Sequence, residues 1–592
     1  MDTKPNTRIA AWTVAALVFC GAYGLGSWSF NGQQLWYFQS TMHWVALGLL
    51  VVFTVGKSIS VWAFRALRGL DRWILQNPGR AGLLLVIFML TYFAFWSGVS
   101  FLRHYSFRSS YDLAIMDQVA WNTTQGHLFS RSLEVNNDLG DHVRPFLAML
   151  GVFYLLIPSP YVLLAFQSLV LALTAWPLYR LARRKFDSPA VGLVVALCTL
   201  AFSPLGFLNR YDFHIEAMAI PLLIAAYERI DVGDLKSASL FMALTLFTKE
   251  NLGLNVAVLG IAAGLSYKYW RFGLAWALVG LVYSAIALLV VIPAFRGEAS
   301  DTLARYQWLG DSPLNALWTI LSQPALVLRK FFTAEHVSTV LQLLGPLAFL
   351  PLLALTSLLP ALPTLIYNFL AEWPAQQTAY QHYMAPVIPF ILVSAVVGLH
   401  RLSTNAWVVG VLYGNSIGLL RSDQAVGLGV SMLLAATLIS LVSNAPIRGK
   451  WQIFPQIAAV DTKIQVASAG NKTRAPLFLS NTATIRQGLR NVPPKVSLLT
   501  TGSYAPHLSH RSQIDMIPMA PVLTLEPAPD AIFLNLRDLR WWSCDDYFEN
   551  LQAAAKLNFG VTFYRDDVLL VQKDKGDARK LQDLLGRWPG CK

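Results

Sequence analysis

The chain has 592 residues, of which 55% are hydrophobic and only 13% are charged, and its mean hydropathy is +0.47. A soluble chain of this length would fold as several domains with polar surfaces, so the composition excludes that class and predicts a membrane protein. The formal net charge of +13 would also suit a nucleic-acid-binding protein, but basic residues on cytoplasmic loops explain it more simply.

The chain begins with two predicted membrane helices, at about 9–28 and 43–62. Basic residues before the first helix and after the second place both flanks in the cytoplasm by the positive-inside rule. We interpret residues 1–80 as an N-terminal two-helix membrane extension. The next predicted helix, at 81–102, then runs outward, so the polar loop Arg103–Pro145 is expected at the extracytoplasmic face.

Apolar runs continue to Ser443 and alternate with basic stops and polar turns. By the alternation of spans, two further polar turns, Asn209–Glu216 and Ala371–Tyr383, are expected at the same face as the first loop. The region 405–443 holds one or two spans, which gives roughly 11–13 transmembrane helices at about 20 apolar residues each. We therefore predict an α-helical polytopic membrane protein whose main transmembrane domain covers residues 81–444.

The composition changes at about residue 445, where the long apolar runs stop. The segments KVSLLTT, AIFLNL and VTFYRDDVLLVQK are rich in branched and aromatic residues and predict strands, whereas FENLQAAAKL (548–557) predicts a helix. Residues 445–592 are therefore predicted to form a small soluble α/β domain. If only 424–443 spans the membrane, this domain lies on the extracytoplasmic side, as we expect; if both apolar pieces of 405–443 span, it is cytoplasmic. Cys544 and Cys591 would pair there if the compartment is oxidising.

Polar side chains that suit catalysis are concentrated in the three outer turns. Two more, Lys249 and Glu250, lie between two short apolar segments after the second turn. Polar groups between apolar helices are expensive and are usually functional. Carboxylates and imidazoles at one membrane face suit general-base work or coordination of a divalent metal, although no Cys or His spacing indicates a zinc site. The candidates are Asp112, Asp117, Asp141, His142, Arg144, Asp212, His214, Glu216, Lys249, Glu250, Gln376, Gln377, Tyr380, His382 and Tyr383.

Each candidate also has a purely structural interpretation. Asp112 is the first residue of a segment, Asp112–Thr124, whose apolar residues lie along one side and predict an amphipathic helix along the membrane surface. At the start of that helix, Asp112 would serve as a helix cap as well as it would serve as a catalytic residue. Asp117 lies five residues on, roughly 140° around a helix, so it does not share a face with Asp112 and is assigned a structural role. Asp141 and His142 suit a hydrogen bond that fixes the loop as well as they suit a site.

The basic candidates likewise have both a functional and a structural interpretation. Lys249 and Glu250 are adjacent, so they cannot face one another on a helix; we expect them to be solvated at the interface, or Lys249 to meet a lipid phosphate. Several arginines near the outer face either cradle an anionic headgroup or are ordinary surface residues. These are Arg103, Arg108, Arg131, Arg144 and Arg210.

Several motifs, in order and spacing, resemble a family of predicted bacterial membrane proteins that is known as DUF2079. They are YDLAIMDQVAWNTTQGHLF, LGDHVRPFLAMLGVFYLLIPSPYVLLAFQSLVLALTAWPLYRLAR, DFHIEAMAIPLL, TKENLGL, AQQTAYQHYMAPVIPF and, in the tail, SYAPHLSHR (Ser503–Arg511). The resemblance covers about Ala81 to Val571. The family in turn resembles the GT-C glycosyltransferases, multi-helix membrane enzymes that take a sugar from a polyprenyl-phosphate carrier.

The GT-C resemblance implies a site as well as a fold. The catalytic carboxylate of those enzymes lies in the first large outer loop, just after the first core helix, and Asp112 matches it by position. Many of those enzymes have an acidic pair there, whereas Asp112 is followed by Leu113, which leaves metal dependence and the role as base open. The implied partners are a polyprenyl-phosphate sugar donor, the lipid bilayer and a glycan, lipid or protein acceptor, in the bacterial plasma membrane.

Two other classes of function stay open at this point. The same polar residues would line the path of a transporter or flippase for a lipid-linked or anionic solute, or the chain would be a non-catalytic scaffold whose tail binds a partner. Transporters often contain internal repeats and paired broken helices, and no repeat is visible in this sequence. The polar clusters are expected at one face rather than at the midplane, which favours an enzyme at the interface.

Overall fold

The computed structural model describes residues 60–297, 301–404, 422–443, 481–517, 528–538 and 544–587. The predicted helix at 9–28, most of that at 43–62 and the first part of the ambiguous region 405–443 lie outside the described residues. So do Cys591 and the side chain of Cys544, and the predicted pairing of these two cysteines therefore stays a prediction.

The membrane domain is a bundle of helices. After a helical segment at 60–75, the helices are α1 (Gly79–Tyr105), α2 (Tyr111–Thr124), α3 (Pro145–Met149), α4 (Gly151–Tyr154), α5 (Pro160–Leu173), α6 (Ala175–Phe186), α7 (Pro189–Leu200), α8 (Ser203–Arg210), α9 (Ala219–Val232), α10 (Leu235–Leu246), α11 (Leu252–Tyr267), α12 (Trp270–Ile286), α13 (Ile292–Arg296), α14 (Pro313–Ser322), α15 (Pro324–Phe331), α16 (Ala334–Leu344), α17 (Leu355–Leu358), α18 (Leu362–Leu370), α19 (Ile388–Thr404) and α20 (Ser422–Ser443).

Three stretches among the described residues are long and apolar enough to cross a membrane: Gly79–Tyr105, Pro160–Phe186 and Trp270–Arg296. The helices α7 and α8 make a fourth span if their bend of 43° is counted within one crossing. Six further apolar helical stretches are shorter. The predicted helical membrane architecture is therefore confirmed, while the number of 11–13 spans stays a prediction.

Close helix packing in the bundle depends on small residues at one interface. The helices α11 and α12 meet at two glycine pairs, Gly253 with Gly280 and Gly260 with Gly273, where a Cβ on any of the four would collide with the facing backbone. This approach leaves no room for larger side chains, and it holds α12 against α11 up to the level of Glu250, whose carbonyl accepts a hydrogen bond from Ser284 at 2.6 Å.

The C-terminal part forms the small α/β domain that the sequence predicts. Its strands are β1 (Leu498–Thr501), β2 (Ile514–Ile517), β3 (Ala531–Asn535), β4 (Phe559–Arg565) and β5 (Val568–Lys573), in the order β2-β1-β3-β5-β4, with helices α21 (Thr482–Asn491), α22 (Cys544–Lys556) and α23 (Ala578–Gly586). The strands β1, β2 and β3 are parallel, and β5 is antiparallel to β3 and β4.

The helix α2 is packed between the two domains. Leu113, Met116 and Val119 join the apolar cluster of the membrane domain, whereas Ala114 and Ile115 join that of the C-terminal domain. The prediction of an amphipathic surface helix was therefore wrong in one respect: α2 has two buried faces, because the C-terminal domain covers the side that was expected to face water or lipid.

Candidate active site

Asp112 lies in the first turn of α2, and its carboxylate is about a fifth exposed at 22%. It is not the helix cap, because Ser110 occupies that position without making a side-chain capping bond. Instead, the hydroxyl of Ser110 donates to Oδ2 of Asp112 at 3.1 Å, and Nε2 of His214 lies 3.7 Å from the same oxygen. The carboxylate thus keeps open lone pairs and a path to solvent, as a general base requires.

Two stacked imidazoles bring the second and third outer turns to Asp112. The rings of His214 and His382 lie 3.8 Å apart and nearly parallel, with Tyr211 5.0 Å from His214 and Tyr383 4.0 Å from His382. Burial lowers the pKa of His214, although Asp112 and Glu216 act in the opposite direction. The ring is therefore neutral near pH 7 and offers Asp112 a polar neighbour rather than a fixed positive charge.

A cavity of about 210 Å³ adjoins Asp112. Ser110 belongs both to its wall and to the hydrogen bond with Asp112, so the carboxylate lies one side chain away. Three arginines and one aspartate are among the residues that line it, which gives its wall an excess of basic residues. The lining residues are Arg103, Arg108, Ser109, Ser110, Phe207, Arg210, Tyr211, Asp212, Tyr380 and Ser503. We call this space the basic cavity.

Asp212 is the acidic member of the basic cavity. Its Oδ2 accepts the backbone N–H of Ser110 at 2.6 Å, and Nε of Arg103 lies 4.0 Å from its Oδ1. Burial raises the pKa of Asp212 to about 6, with Arg103 and the Ser110 N–H limiting the rise. The net charge of the basic cavity therefore becomes more positive as the pH falls through about 6, where Asp212 takes up a proton.

The other two arginines of the first loop have a different role. Arg144 makes a forked pair with the buried Asp138, at 2.7 and 2.5 Å, and Arg131 lies 2.6 Å from Asp141. Burial alone would raise the pKa of Asp138, but Arg144 and Arg131 lower it overall. These ion pairs hold the first loop in shape through Arg131, Arg144 and Asp141. The sequence interpretation missed Asp138, because nothing in the local sequence shows which carboxylate each arginine contacts.

Lys249 and Glu250 are buried, so the expectation that they are solvated was wrong. Nζ of Lys249 lies 2.6 Å from Glu216, whereas Glu250 accepts from Nδ1 of His142 and from the backbone N–H of Val143, both at 3.0 Å. The turn between α10 and α11 is covered by the first loop, which supplies His142. Lys249 and Glu250 are neighbours in the chain, and they contact different partners, as the sequence predicts.

Asp117 joins the C-terminal domain to the membrane domain. The hydroxyl of Tyr154 donates to its Oδ1 at 2.5 Å, and Ser509 and Nε2 of His510 meet its Oδ2, the latter at 2.9 Å. The ring of His510 lies flat on Trp121, with centroids 5.5 Å apart. Asp117 thus lies in the interface between the two domains and bonds to both of them, while its structural role stays a prediction.

The tail motif SYAPHLSHR lies at this same interface. His507 stacks on His104 with ring centroids 4.0 Å apart, and Ser503 reaches the wall of the basic cavity. Burial lowers the pKa of His507 to about 4, so the stacked ring is uncharged at neutral pH. Since the C-terminal domain touches the first loop directly, the two lie on the same side of the membrane, and the domain forms part of the site.

The remaining candidates stabilise the third turn. Nε2 of Gln377 donates to the carbonyl of Ala371 at 2.5 Å, and Gln376 bonds to Tyr306, Asn368 and Arg305, each at 3.0 Å. Within the ranges that the structure describes, no three His, Cys, Asp or Glu side chains are grouped to hold a metal ion. The involvement of a divalent metal stays a prediction.

Residues 103–570 match the model of a family described as predicted membrane protein, DUF2079. The chain belongs to this family. The membership predicted from the motifs is therefore confirmed over nearly the same range. No curated protein sequence matches the chain.

Solved structures give a weaker likeness. ArnT from Cupriavidus metallidurans bound to undecaprenyl phosphate aligns with a TM-score of 0.43 and 14% identity, covering 84% of this chain and 98% of that one. The apo form of the same protein aligns with a TM-score of 0.41 and 13% identity, covering 83% and 98%. A likeness at this level carries no inference about the reaction of this DUF2079 protein.

Proposed function

We propose that this DUF2079 protein is a glycosyltransferase that moves a sugar from a polyprenyl-phosphate donor to an acceptor hydroxyl at the extracytoplasmic face of the bacterial plasma membrane. The proposal rests on one observation above all: a partly exposed carboxylate, Asp112, lies beside a cavity with three arginines. A base and an anion site next to one another are what an inverting transfer from a lipid phosphate requires. The GT-C resemblance of the motifs points to the same reaction.

A second cavity supports a lipid-borne donor. It measures about 290 Å³ and is lined mostly by apolar side chains of α1, α7 and α8, such as Phe88, Trp96 and Leu200. Two of these helices, α1 and α8, also line the basic cavity: Arg103 lies seven residues beyond Trp96 on α1, about 10 Å at 1.5 Å per residue. A prenyl chain in the apolar cavity would therefore end with its phosphate among the arginines.

The reaction then assigns a task to each group. Asp112 accepts the proton of the acceptor hydroxyl, whose oxygen attacks the anomeric carbon of the sugar. The bond from that carbon to the phosphate oxygen breaks, and the electron pair leaves with the polyprenyl phosphate, whose growing charge faces Arg103, Arg108 and Arg210. Because a phosphate is already a good leaving group, no second acid is needed.

The direct test is to incubate the purified protein with a panel of polyprenyl-phosphate sugars and to measure release of the lipid phosphate. Parallel reactions with and without EDTA report whether a divalent ion assists. Sugar transfer with inversion at the anomeric carbon is the expected result. Movement of the intact lipid-linked sugar across vesicles without release would instead establish the flippase alternative, which the position of the polar groups near one end of the bundle disfavours.

Replacing Arg108 is expected to weaken donor binding. Arg108 lies on the loop wall of the basic cavity, and one charge-assisted hydrogen bond is worth about 1.5–3 kcal/mol, or about 10–150-fold in affinity. Arg108→Gln should therefore raise the KM for the donor by about that factor while leaving the KM for the acceptor nearly unchanged. The matched control is Arg537→Gln, which removes a half-exposed arginine paired with Asp567 in the C-terminal domain. Equal effects of the two variants would contradict the anion site.

Donor affinity is expected to depend on pH through Asp212. The pKa of Asp212 is raised to about 6, mainly by burial, so the group is charged above that pH and becomes neutral below it. The phosphodiester of the donor keeps its single charge throughout, so the KM for the donor should fall as the pH is lowered from 7.5 to 5.5. Asp212→Asn should reduce this dependence. A KM that does not change with pH in the unmodified protein would argue against a donor phosphate beside Asp212.

A further inference from the structure

One apolar surface lies outside the candidate site, on the long segment between α13 and α16. It consists of α14 and α15 with their linker, residues 312–332, which we call the apolar hairpin. On α14, Leu314, Leu317, Trp318 and Leu321 are exposed by 79%, 53%, 70% and 68%, and on α15 no residue is buried. The spacing i, i+3, i+4, i+7 places the four α14 residues in one stripe along the helix.

The hairpin is attached to the protein at its base. Nε1 of Trp308 donates to the carbonyl of Leu370 at 2.8 Å, Lys330 lies 2.8 Å from Glu372, and the rings of Phe331 and Phe369 are 5.5 Å apart. These contacts join the hairpin and the residue Trp308 before it to the end of α18 and the start of the third outer turn, which carries His382 of the candidate site. The exposed stripe therefore belongs to a firmly attached element rather than to a loose loop.

The chemistry of the hairpin fits a lipid surface. From Ser312 to Ala334 the sequence has no Asp or Glu, and its two charged residues, Arg329 and Lys330, stand together at one end. Basic groups beside an apolar stripe that contains Trp are typical of segments lying among anionic headgroups. The ten residues of α14 extend about 15 Å, too short to cross a hydrocarbon core of about 30 Å.

We infer that the apolar hairpin lies in the membrane interface on the side of the first loop, with Leu317, Trp318 and Leu321 among the acyl chains and Arg329 at the headgroups. The segment follows the span that ends at Arg296 and so starts close to that surface. The hairpin anchors the third outer turn to the bilayer. The inference does not depend on the reaction that the site performs.

Fluorescence quenching in vesicles tests the inference. The full-length protein, with its four native cysteines replaced by serine, receives Leu317→Cys or Asn315→Cys and a small environment-sensitive fluorophore. It is then reconstituted in equal parts of phosphatidylcholine and phosphatidylglycerol. The two positions are about 200° apart on one helix, and both side chains are exposed, so each is the matched control of the other. Leu321→Cys serves as a second stripe position if Leu317→Cys folds poorly.

The expected result is that spin-labelled phosphatidylcholine quenches the Leu317 label several-fold more than the Asn315 label, and that aqueous iodide shows the reverse preference. Iodide reaching both labels equally, with no quenching by lipid, would overturn the inference. So would a Leu317 label shielded from both quenchers, which would mean a protein cover; cross-linking of Leu317→Cys between two copies would then identify that cover as a second chain.

Discussion

Asp112→Asn is expected to lower turnover by about 10²–10⁴-fold, the usual contribution of a general base. Asparagine keeps the shape of the side chain and can still accept the hydrogen bond from Ser110, but it cannot take the acceptor proton. Because the variant loses an interaction that is made in the transition state, kcat should fall while the KM for the donor changes little. The measurement is sugar transfer from a polyprenyl-phosphate donor under single-turnover conditions.

The same substitution should leave the protein folded. Asp112 does not cap α2, so the variant loses only a first-turn carboxylate, worth about 0.3–1 kcal/mol against the helix dipole. Glu335→Gln is the matched control, since Glu335 is an exposed carboxylate in the first turn of α16, away from the candidate site. Both variants should show similar small shifts in thermal unfolding, and only Asp112→Asn should lose turnover. Near-normal turnover of Asp112→Asn would rule out Asp112 as the base and would make Asp212, the carboxylate of the basic cavity, the next residue to test.

Local patterns in the sequence predicted the C-terminal domain well. The strands β1, β3 and β5 fall within segments chosen for their composition, whereas β4 and the helix α22 begin two and four residues before the predicted segments. The β4–β5 hairpin turns at Asp566 and Asp567, both with positive φ, as a tight two-residue turn requires. The strand β2, IDMI, was not predicted, because four residues with a polar one inside give too short a pattern; its pairing with β1 is a tertiary effect.

The candidate site shows where sequence reasoning ends. Spacing and topology were enough to predict that the three outer turns share one face, and the structure places Asp112, His214 and His382 of those turns next to one another. They were not enough to assign partners within the set. Whether a buried charge is catalytic or structural depends on which opposite charge it meets, and those pairs, such as Lys249 with Glu216, join residues far apart in the chain.

Lys249→Met is expected to lower the stability of the protein by about 3–5 kcal/mol, because it leaves Glu216 buried without its partner. The two side chains are less than a tenth exposed, and their charged atoms lie 2.6 Å apart. Burial acts to raise the pKa of Glu216, and Lys249 is the main group that holds it well below its usual range. Without Lys249 the carboxylate is either buried as an unpaired charge or has to take up a proton, and both outcomes destabilise the folded protein. The measurement is the midpoint of thermal unfolding in detergent.

Two further variants show whether the pairing itself is the cause. Lys249→Met combined with Glu216→Gln removes both charges and should recover much of the lost stability, since a buried pair is often replaced at little cost. Lys330→Met breaks the half-exposed pair with Glu372 and should cost only about 0–1 kcal/mol. If Lys249→Met instead left the midpoint unchanged and raised the KM for the donor, Lys249 would be a ligand of the lipid phosphate, the role first considered for it from the sequence.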